Sequence, residues 1–346
     1  MRVVFFVQGQ RVPAARFRGF AIAEALAKNG VTCDLRAPTP SVYGDLPGFP
    51  LPRPLLVPLV VLVRLAQLRG LGRQDIVFFQ RPMIELPAIF LERLAARGRK
   101  SVFDFDDAIH LNWRGRDKLR RIVKMVDHVV AGNRFLAEVA NAADKTTIIP
   151  TTVDTDRWVE MPTRDVRSRD VVVGWTGLSC NYHHLEIACA PIARALRETG
   201  ARFVVISDRP PPAALRDLRA EFVPWRARRE VDDLARLDIG VMPLPDGPYE
   251  RGKCAFKLIQ YMALGRPGLA SPVGANNEVV TDGHDAFLPR HAAEWTEYLV
   301  RLIESPDLRE QIGRRARARV QAAYSIAAVT PRYLGLLRGL AAPETL

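Results

Sequence analysis

The sequence predicts an α/β protein built from two Rossmann-like domains, and three observations carry that reading. At 346 residues the chain is long for one core and comfortable for two. Apolar runs without period-two alternation recur between helix-like stretches through its first half, as parallel strands covered on both faces by helices do. The same alternation then restarts at "RDVVVGWTG". The expected divisions are an N-terminal domain over 1–160, a C-terminal domain over 161–322, and a C-terminal helix and tail over 323–346 that can cross back to the first domain.

Taken in order, "RVVFFV" is a buried first strand, followed by a helix over 18–29 that stops at Gly30, and by the strand "VTCDLRA". "DIVFFQ" leads into a helix over 87–97, "KSVFDFD" into one over 118–125, and "HVVAGN" into one over 134–143 before "TTIIP". The stretch 153–170 is polar and aperiodic and reads as a linker. The second set runs "RDVVVGWTG", a helix over 185–199 ending at Gly200, "RFVVIS", "EFVPW", a helix over 231–236, and "DIGVMPL". A helix opening on Gly252 and Lys253, the strand "PGLAS" and a glycine turn before another helix complete it. Ligands of such sheets bind beyond the carboxyl ends of the strands, so the cleft between the two halves is the expected site.

Composition narrows the partners. Fifty Lys and Arg against 38 Asp and Glu leave a formal charge of +12, which favours an anionic partner such as nucleic acid, anionic lipid or a sugar nucleotide. Arg-rich helices with solvated outer faces, such as "GRRARARVQAAY", account for the same charge. Cys33, Cys180, Cys189 and Cys254 show no metal or redox spacing, which fits a reduced, cytoplasmic protein. The apolar run at the N-terminus stops at Gln8 and Gly9, too short for a signal-peptide core. Between Pro50 and Arg73 the run 55–63 is about half the length a spanning helix needs, and Pro58 and Arg64 interrupt it. It reads either as a core helix of an α/β domain or as a helix lying on an anionic membrane surface.

The segment 238–283, "DIGVMPLPDGPYERGKCAFKLIQYMALGRPGLASPVGANNEVVTDG", is the most telling. A βαβ unit whose helix opens on exposed amides and lysines holds phosphate, because N-terminal N–H groups and the helix dipole both favour an anion. Lys253 and Lys257 also fit an exposed pair on one helix face.

With "FDFDDAIH", "VVAGNRFLAEVA", "IIPTTVDTDRW", "VVVGWTG" and the Arg-rich C-terminal helix, this segment resembles the GT-B glycosyltransferases, in particular their retaining, nucleotide-sugar-dependent family 4 type. The resemblance runs from about residue 100 almost to the C-terminus. It implies an N-terminal acceptor domain, a C-terminal donor domain, a UDP- or GDP-sugar as co-substrate, no permanently bound cofactor and no metal. The family's signature has two glutamates eight positions apart over this helix, one for the transferred sugar and one for the ribose. Here those positions hold Gly252 and Gln260, so the pair is absent. Gln260 can still accept from and donate to ribose hydroxyls, while Glu250 and Arg251 are nearest to the lost sugar contact. The family's basic residues after the first strand of the C-terminal domain are also missing from "GWTGLSCNYHHL", which leaves Arg251, Lys253 and Lys257 to neutralise the diphosphate.

The donor-binding set expected on this basis is Gly177, Trp225, Glu250, Gly252, Lys253, Cys254, Lys257 and Gln260, with Trp225 either against the nucleobase or in the core. The catalytic set is Asp106, Asp107, Lys253 and Arg251. Asp106 or Asp107 would orient the acceptor hydroxyl or take its proton, although front-face attack in retaining relatives lets the leaving phosphate oxygen do so. A strand-end carboxylate capping the next helix is the alternative, and Asp104 with Asp106 also has the spacing of a divalent-cation site. Gly9, Arg16, Arg18, His110 and Asn133 are the acceptor candidates, the arginines suiting a phosphorylated or lipid-diphosphate acceptor. Asn276 and Glu278 open the helix after the glycine turn.

The reading that follows is a glycosyltransferase with an unidentified hydroxyl acceptor, a saccharide, a lipid-linked molecule or a small molecule. It would work in the cytoplasm, with the inner face of the membrane as an optional docking place. A nucleic-acid-binding or DNA-modifying protein is the rival from another class. Dispersed arginines and the lack of a finger, RRM or basic-helix signature speak against it. A GT-B-like binding protein that has lost catalysis is the third reading, prompted by the missing glutamates.

Overall fold

A computed structural model of the chain describes residues 1–10, 12–42, 53–112, 115–159 and 170–342. It divides into two compact units, Met1–Thr152 with Ile326–Leu346, and Val153–Ser325.

The first unit is a six-stranded parallel sheet in the order β2-β1-β3-β4-β5-β6. Its strands are β1 (Arg2–Phe6), β2 (Thr32–Arg36), β3 (Ile76–Gln80), β4 (Ser101–Phe105), β5 (His128–Ala131) and β6 (Thr146–Ile148). Every residue of β3 and β4 is buried, which is why they read as unbroken apolar runs. The helices are α1 (Ala21–Lys28), α2 (Arg53–Gln67), α3 (Phe90–Ala96), α4 (Gly115–Met125) and α5 (Arg134–Ala140). A π-type turn, Ala15–Phe20, leads into α1. The segment 53–67 is helical, as both sequence readings of it required. It buries Leu56, Val60 and Arg64 on one face and leaves Leu55, Leu59, Leu62 and Leu65 exposed on the other, so it is only half a core helix.

The second unit is a five-stranded parallel sheet in the order β11-β10-β7-β8-β9. It comprises β7 (Val172–Thr176), β8 (Arg202–Ser207), β9 (Glu221–Pro224), β10 (Ile239–Met242) and β11 (Gly268–Ala270). Its helices are α6 (Tyr182–Glu186), α7 (Cys189–Thr199), α8 (Glu230–Ala235), α9 (Pro248–Arg251), α10 (Phe256–Ala263), α11 (Asn276–Val279), α12 (Ala292–Glu304) and α13 (Pro306–Ala323). Strand order reverses between β7 and β10, which opens a crevice at their carboxyl ends. Tyr261 of α10 ties the two strands there, since its hydroxyl accepts from Thr176 N at 3.1 Å and donates to Val241 O at 3.4 Å. Gly240 admits that ring, because a Cβ at 240 would lie 2.2 Å from it.

The polar stretch 153–170 is not simply a linker. Val153 pairs with Ser325, Trp158 is buried in the second unit's core, and Arg317 donates to the carbonyls of Trp158 and Thr155. Residues 160–169 lie outside the described residues. The last helix, α14 (Ile326–Ala341), returns to the first unit, as the sequence allowed. Its Val329, Tyr333, Leu334 and Leu337 complete a core with Val3, Phe5, Ile22, Leu26 and Phe78.

Candidate functional site

In the second unit the crevice between β7 and β10 gathers several of the expected donor residues. The chain leaves β7 through Gly177, where an added Cβ would stand 2.6 Å from the Trp175 ring and 2.9 Å from Lys257 Cε. Backbone therefore runs directly against the lysine. Lys257 opens α10, with its Nζ 5.5 Å from the Trp175 ring centroid, and Lys253 Nζ lies 4.2 Å from that of Tyr249. Both cations rest on aromatic faces, which is favourable without neutralising them.

The helix does not open on Gly252 and Lys253 as the sequence suggested. Instead α9 ends at Arg251, the Gly252 N–H closes it onto Tyr249 O, and Ala255 adopts a left-handed conformation (φ 53°) that breaks the helix before α10 begins at Phe256. Lys253 and Cys254 therefore sit in the turn between two helices, with Cys254 buried. Gly274, in the later glycine turn, packs on this turn, since a Cβ there would approach the Arg251 backbone to 2.8 Å.

The residue nearest the missing first glutamate is Glu250, and the structure gives it a partner 66 positions away. His184 Nε2 lies 3.0 Å from Glu250 Oε1. Burial pushes the His184 pKa down to about 4, against the pull of the Glu250 hydrogen bond, so the ring is neutral at pH 7. In that tautomer Nε2–H donates to Glu250, and Nδ1 becomes a buried acceptor with no hydrogen-bond partner among the described residues. His183, His184 and Glu250 are also the one grouping of described residues with metal-ligand spacing, their ligand atoms lying within 4.8 Å of one another.

Other expected donor residues are occupied differently. Arg251 forks onto Asp246 at 2.6 and 2.9 Å, both groups being exposed. Gln260 is buried and donates to Glu230 Oε1 at 3.3 Å. Trp225 follows β9, donates its backbone N–H to Ser207 O and packs half-buried on the unit's core. Asn276 is structural, its side chain donating to Ser271 O, while the Glu278 carbonyl accepts from Tyr324 and Arg319.

In the first unit the acidic run separates into two environments. Asp104 is fully buried and forms a two-pronged ion pair with Arg18, Oδ2 to Nε at 2.9 Å and Oδ1 to Nη2 at 2.5 Å. Arg18 also donates to Ile149 O and Thr151 Oγ1. Burial works against its charge, but Asp104 outweighs burial and holds its pKa above the ordinary value. Arg18 is thus a structural cation rather than an acceptor-binding one, and Asp104 is closed to the metal reading. Asp106 and Asp107 both pair with Arg81, at 2.7 and 3.5 Å, and Asp107 is the more exposed. Arg81 holds a left-handed backbone (φ 62°) to reach them.

His110 is buried, its pKa lowered by burial and by Arg116, and its Nδ1 has no hydrogen-bond partner among the described residues. Asn133 caps α5, accepting from Leu136 N at 2.8 Å, so its carbonyl serves the helix instead of an acceptor. Gly9 presses against Ser41, where a Cβ would meet that side chain at 2.4 Å, and the half-buried Arg16 lies 5.0 Å from the Phe17 ring. Sequence reasoning missed His184, Glu230, Asp246 and Arg81. Of these, only the adjacent His183–His184 after β7 offers a local signal that could have been followed.

The family model described as "Glycosyl transferases group 1" matches residues 170–305, which contain the whole crevice. A trehalose synthase from Pyrococcus horikoshii is 32% identical over 79 residues, which is 23% of this chain and only 19% of the relative's length. Among solved structures, Anabaena HepE in complex with UDP superposes with a TM-score of 0.70 at 15% identity, over 98% of this chain and 100% of that one. The same protein with UDP-glucose gives 0.70 as well. Sucrose-phosphate synthase from Thermosynechococcus elongatus gives 0.74 at 16% identity, over 98% of each chain. At such identities the likeness speaks for the fold: the chain has the two Rossmann-like units of GT-B proteins. The matched segment carries Lys253, Lys257 and Glu250 beside the crevice where strand order reverses.

Proposed function

We propose that the chain is a glycosyltransferase that uses a UDP-type nucleotide sugar and passes the sugar to a hydroxyl acceptor. The observation that carries this is Lys257 set against side-chain-free backbone at Gly177, with Lys253 in the turn just before α10, at the switch point of the matched segment. Two ammonium groups beside exposed backbone suit a diphosphate. As the bond from anomeric carbon to phosphate oxygen breaks, negative charge grows on that oxygen, and fixed positive charge there lowers the barrier by several kcal/mol. The HepE complexes support UDP as the nucleotide to test first.

In this reading Glu250, held by His184, supplies the sugar contact that the glutamate missing at Gly252 would otherwise make. Gln260 with Glu230 faces the ribose, and Trp225 the base. Asp107, with Asp106 and Arg81, orients the acceptor hydroxyl. The hydroxyl proton passes to Asp107 or to the departing phosphate oxygen, and the latter accompanies retention of configuration. The chemistry assigned to these residues requires no metal.

The deciding experiment is a thermal-shift panel of UDP, GDP, TDP and ADP. UDP should raise the Tm, and Lys253→Ala should weaken UDP binding about tenfold, the loss of one charge-assisted contact. If no nucleoside diphosphate shifts the Tm at millimolar concentration, the donor site is wrongly placed.

A further inference from the structure

The helices α2, α3 and α4 form one layer of the first unit, linked by buried polar contacts. Arg64 of α2 donates to Met83 O at 3.1 Å, Met83 N donates to Glu92 of α3 at 2.9 Å, and Glu92 lies 4.0 Å from Lys118 of α4. The inner faces are well packed, with Leu56, Leu91, Leu119 and Ile122 buried.

The outer face combines two features that rarely share a solvated surface. On α2, Leu55, Leu59, Leu62 and Leu65 follow a helical stripe and are 62%, 38%, 64% and 38% exposed. On α3, Phe90 and Leu94 are 39% and 46% exposed. The neighbouring helices carry exposed cations, Arg93 and Arg97 at α3 and Arg116, Arg120, Arg121 and Lys124 on α4, while Asp117 is the one exposed acid among the described residues of these helices. At the amino end of β4 the layer borders an open surface cavity of about 590 Å³ lined by Arg73, Arg93, Arg97, Arg99, Lys100 and Asp127. Arg99 is occupied by the carbonyls of Leu71 and Gly72, and Lys100 faces Asp127 at 3.8 Å. Arg73, Arg93 and Arg97 supply the cavity's remaining cations.

We propose that this outer face docks on a phospholipid bilayer bearing anionic headgroups. The leucines and Phe90 enter the boundary between headgroups and acyl chains, the α3 and α4 cations meet phosphates, and the cavity takes one headgroup. A helix with an apolar stripe and basic flanks lies in such an interface, and each nearby Lys or Arg adds attraction to it. Charge selects this occupant over a second copy of the chain, because self-association would press two basic faces together. The leucine stripe selects it over nucleic acid, whose phosphate backbone offers nothing apolar to bury it. No helix among the described residues is long and apolar enough to cross a membrane, so the contact would be peripheral.

The surface belongs to the first unit and the donor crevice to the second, and each is read out by a different assay, so the two readings fail independently. The full-length chain should float with vesicles of phosphatidylcholine and phosphatidylglycerol in equal parts, and not with phosphatidylcholine alone. Leu55→Glu/Leu62→Glu and Arg120→Glu/Lys124→Glu should each weaken that binding on the order of tenfold or more, while an unchanged Tm reports that they fold. If the glutamate pair at 55 and 62 lowers the Tm, the milder Leu59→Gln/Leu65→Gln pair takes its place. Absence of flotation, or flotation equal to wild type in either folded pair, overturns the proposal. Salt-sensitive capture by duplex DNA that the leucine variants do not alter, without vesicle binding, would reassign the face to nucleic acid.

Discussion

Arg18 and Asp104 show how a residue's role is set by what surrounds it. Both are buried, 86 positions apart, and each satisfies the other's charge. Removing one partner of such a pair leaves an uncompensated buried charge, so Arg18→Met or Asp104→Asn should cost about 3–5 kcal/mol. Urea unfolding checks this, and a loss under about 1 kcal/mol would show that the pair is not structural. His184 yields a pH prediction. Its pKa is about 4 in the fold against an ordinary 6.5. Between those values the unfolded chain binds a proton that the native state refuses, so stability falls as pH drops through that window. The loss approaches roughly 3 kcal/mol near pH 4 and ceases below it. Urea midpoints of wild type and His184→Gln at pH 7 and 4.5 should differ in slope, with the variant flatter.

At the scale of elements, glycines set how closely helices approach their supports. Gly313 of α13 lies over the turn after α10, where an added Cβ would come within 2.0 Å of Gly265 O, a rigid backbone atom. Gly313→Ala must therefore push α13 away from α10. The loss should exceed about 2 kcal/mol, whereas an alanine at an open helical position such as Gly335 should be neutral or slightly stabilising. Thermal unfolding of the two variants side by side tests this. The same constraint acts at Gly240, where the Tyr261 ring occupies the space of a side chain and so brings α10 and its Lys257 to the crevice.

For the whole molecule, the decisive connection is the return of α14. A chain ended at Ser325 would lose Val329, Tyr333, Leu334 and Leu337, all buried in the first unit. At about 2 kcal/mol each, that approaches the whole stability of a typical domain. The truncated chain should lose cooperative unfolding of the first unit and bind a hydrophobic dye, while the second unit, whose 153–325 core is intact, should still show a UDP-dependent thermal shift. A truncated chain with the wild-type melting profile would show α14 to be dispensable.

Much of this was legible in the sequence because it depends on neighbours along the chain. Buried parallel strands are apolar on both faces, so "IVFFQ" and "VVGWT" announce themselves, and the lysines and Gly177 lie in short motifs. Pairings between distant segments were not legible. Nothing near His184 points to Glu250, nothing near Arg18 to Asp104, and Gln260 gives no hint of Glu230. The helix start at Phe256 was misread because Ala255 adopts a left-handed conformation that its residue type disfavours. By itself the sequence determined two Rossmann-like units, since hydrophobic period and glycine placement are local properties, and it raised the expectation of a phosphate-holding segment at 238–283. Only the tertiary structure decided which charges are structural and which reach the crevice, because burial and pairing depend on contacts between segments far apart in the chain.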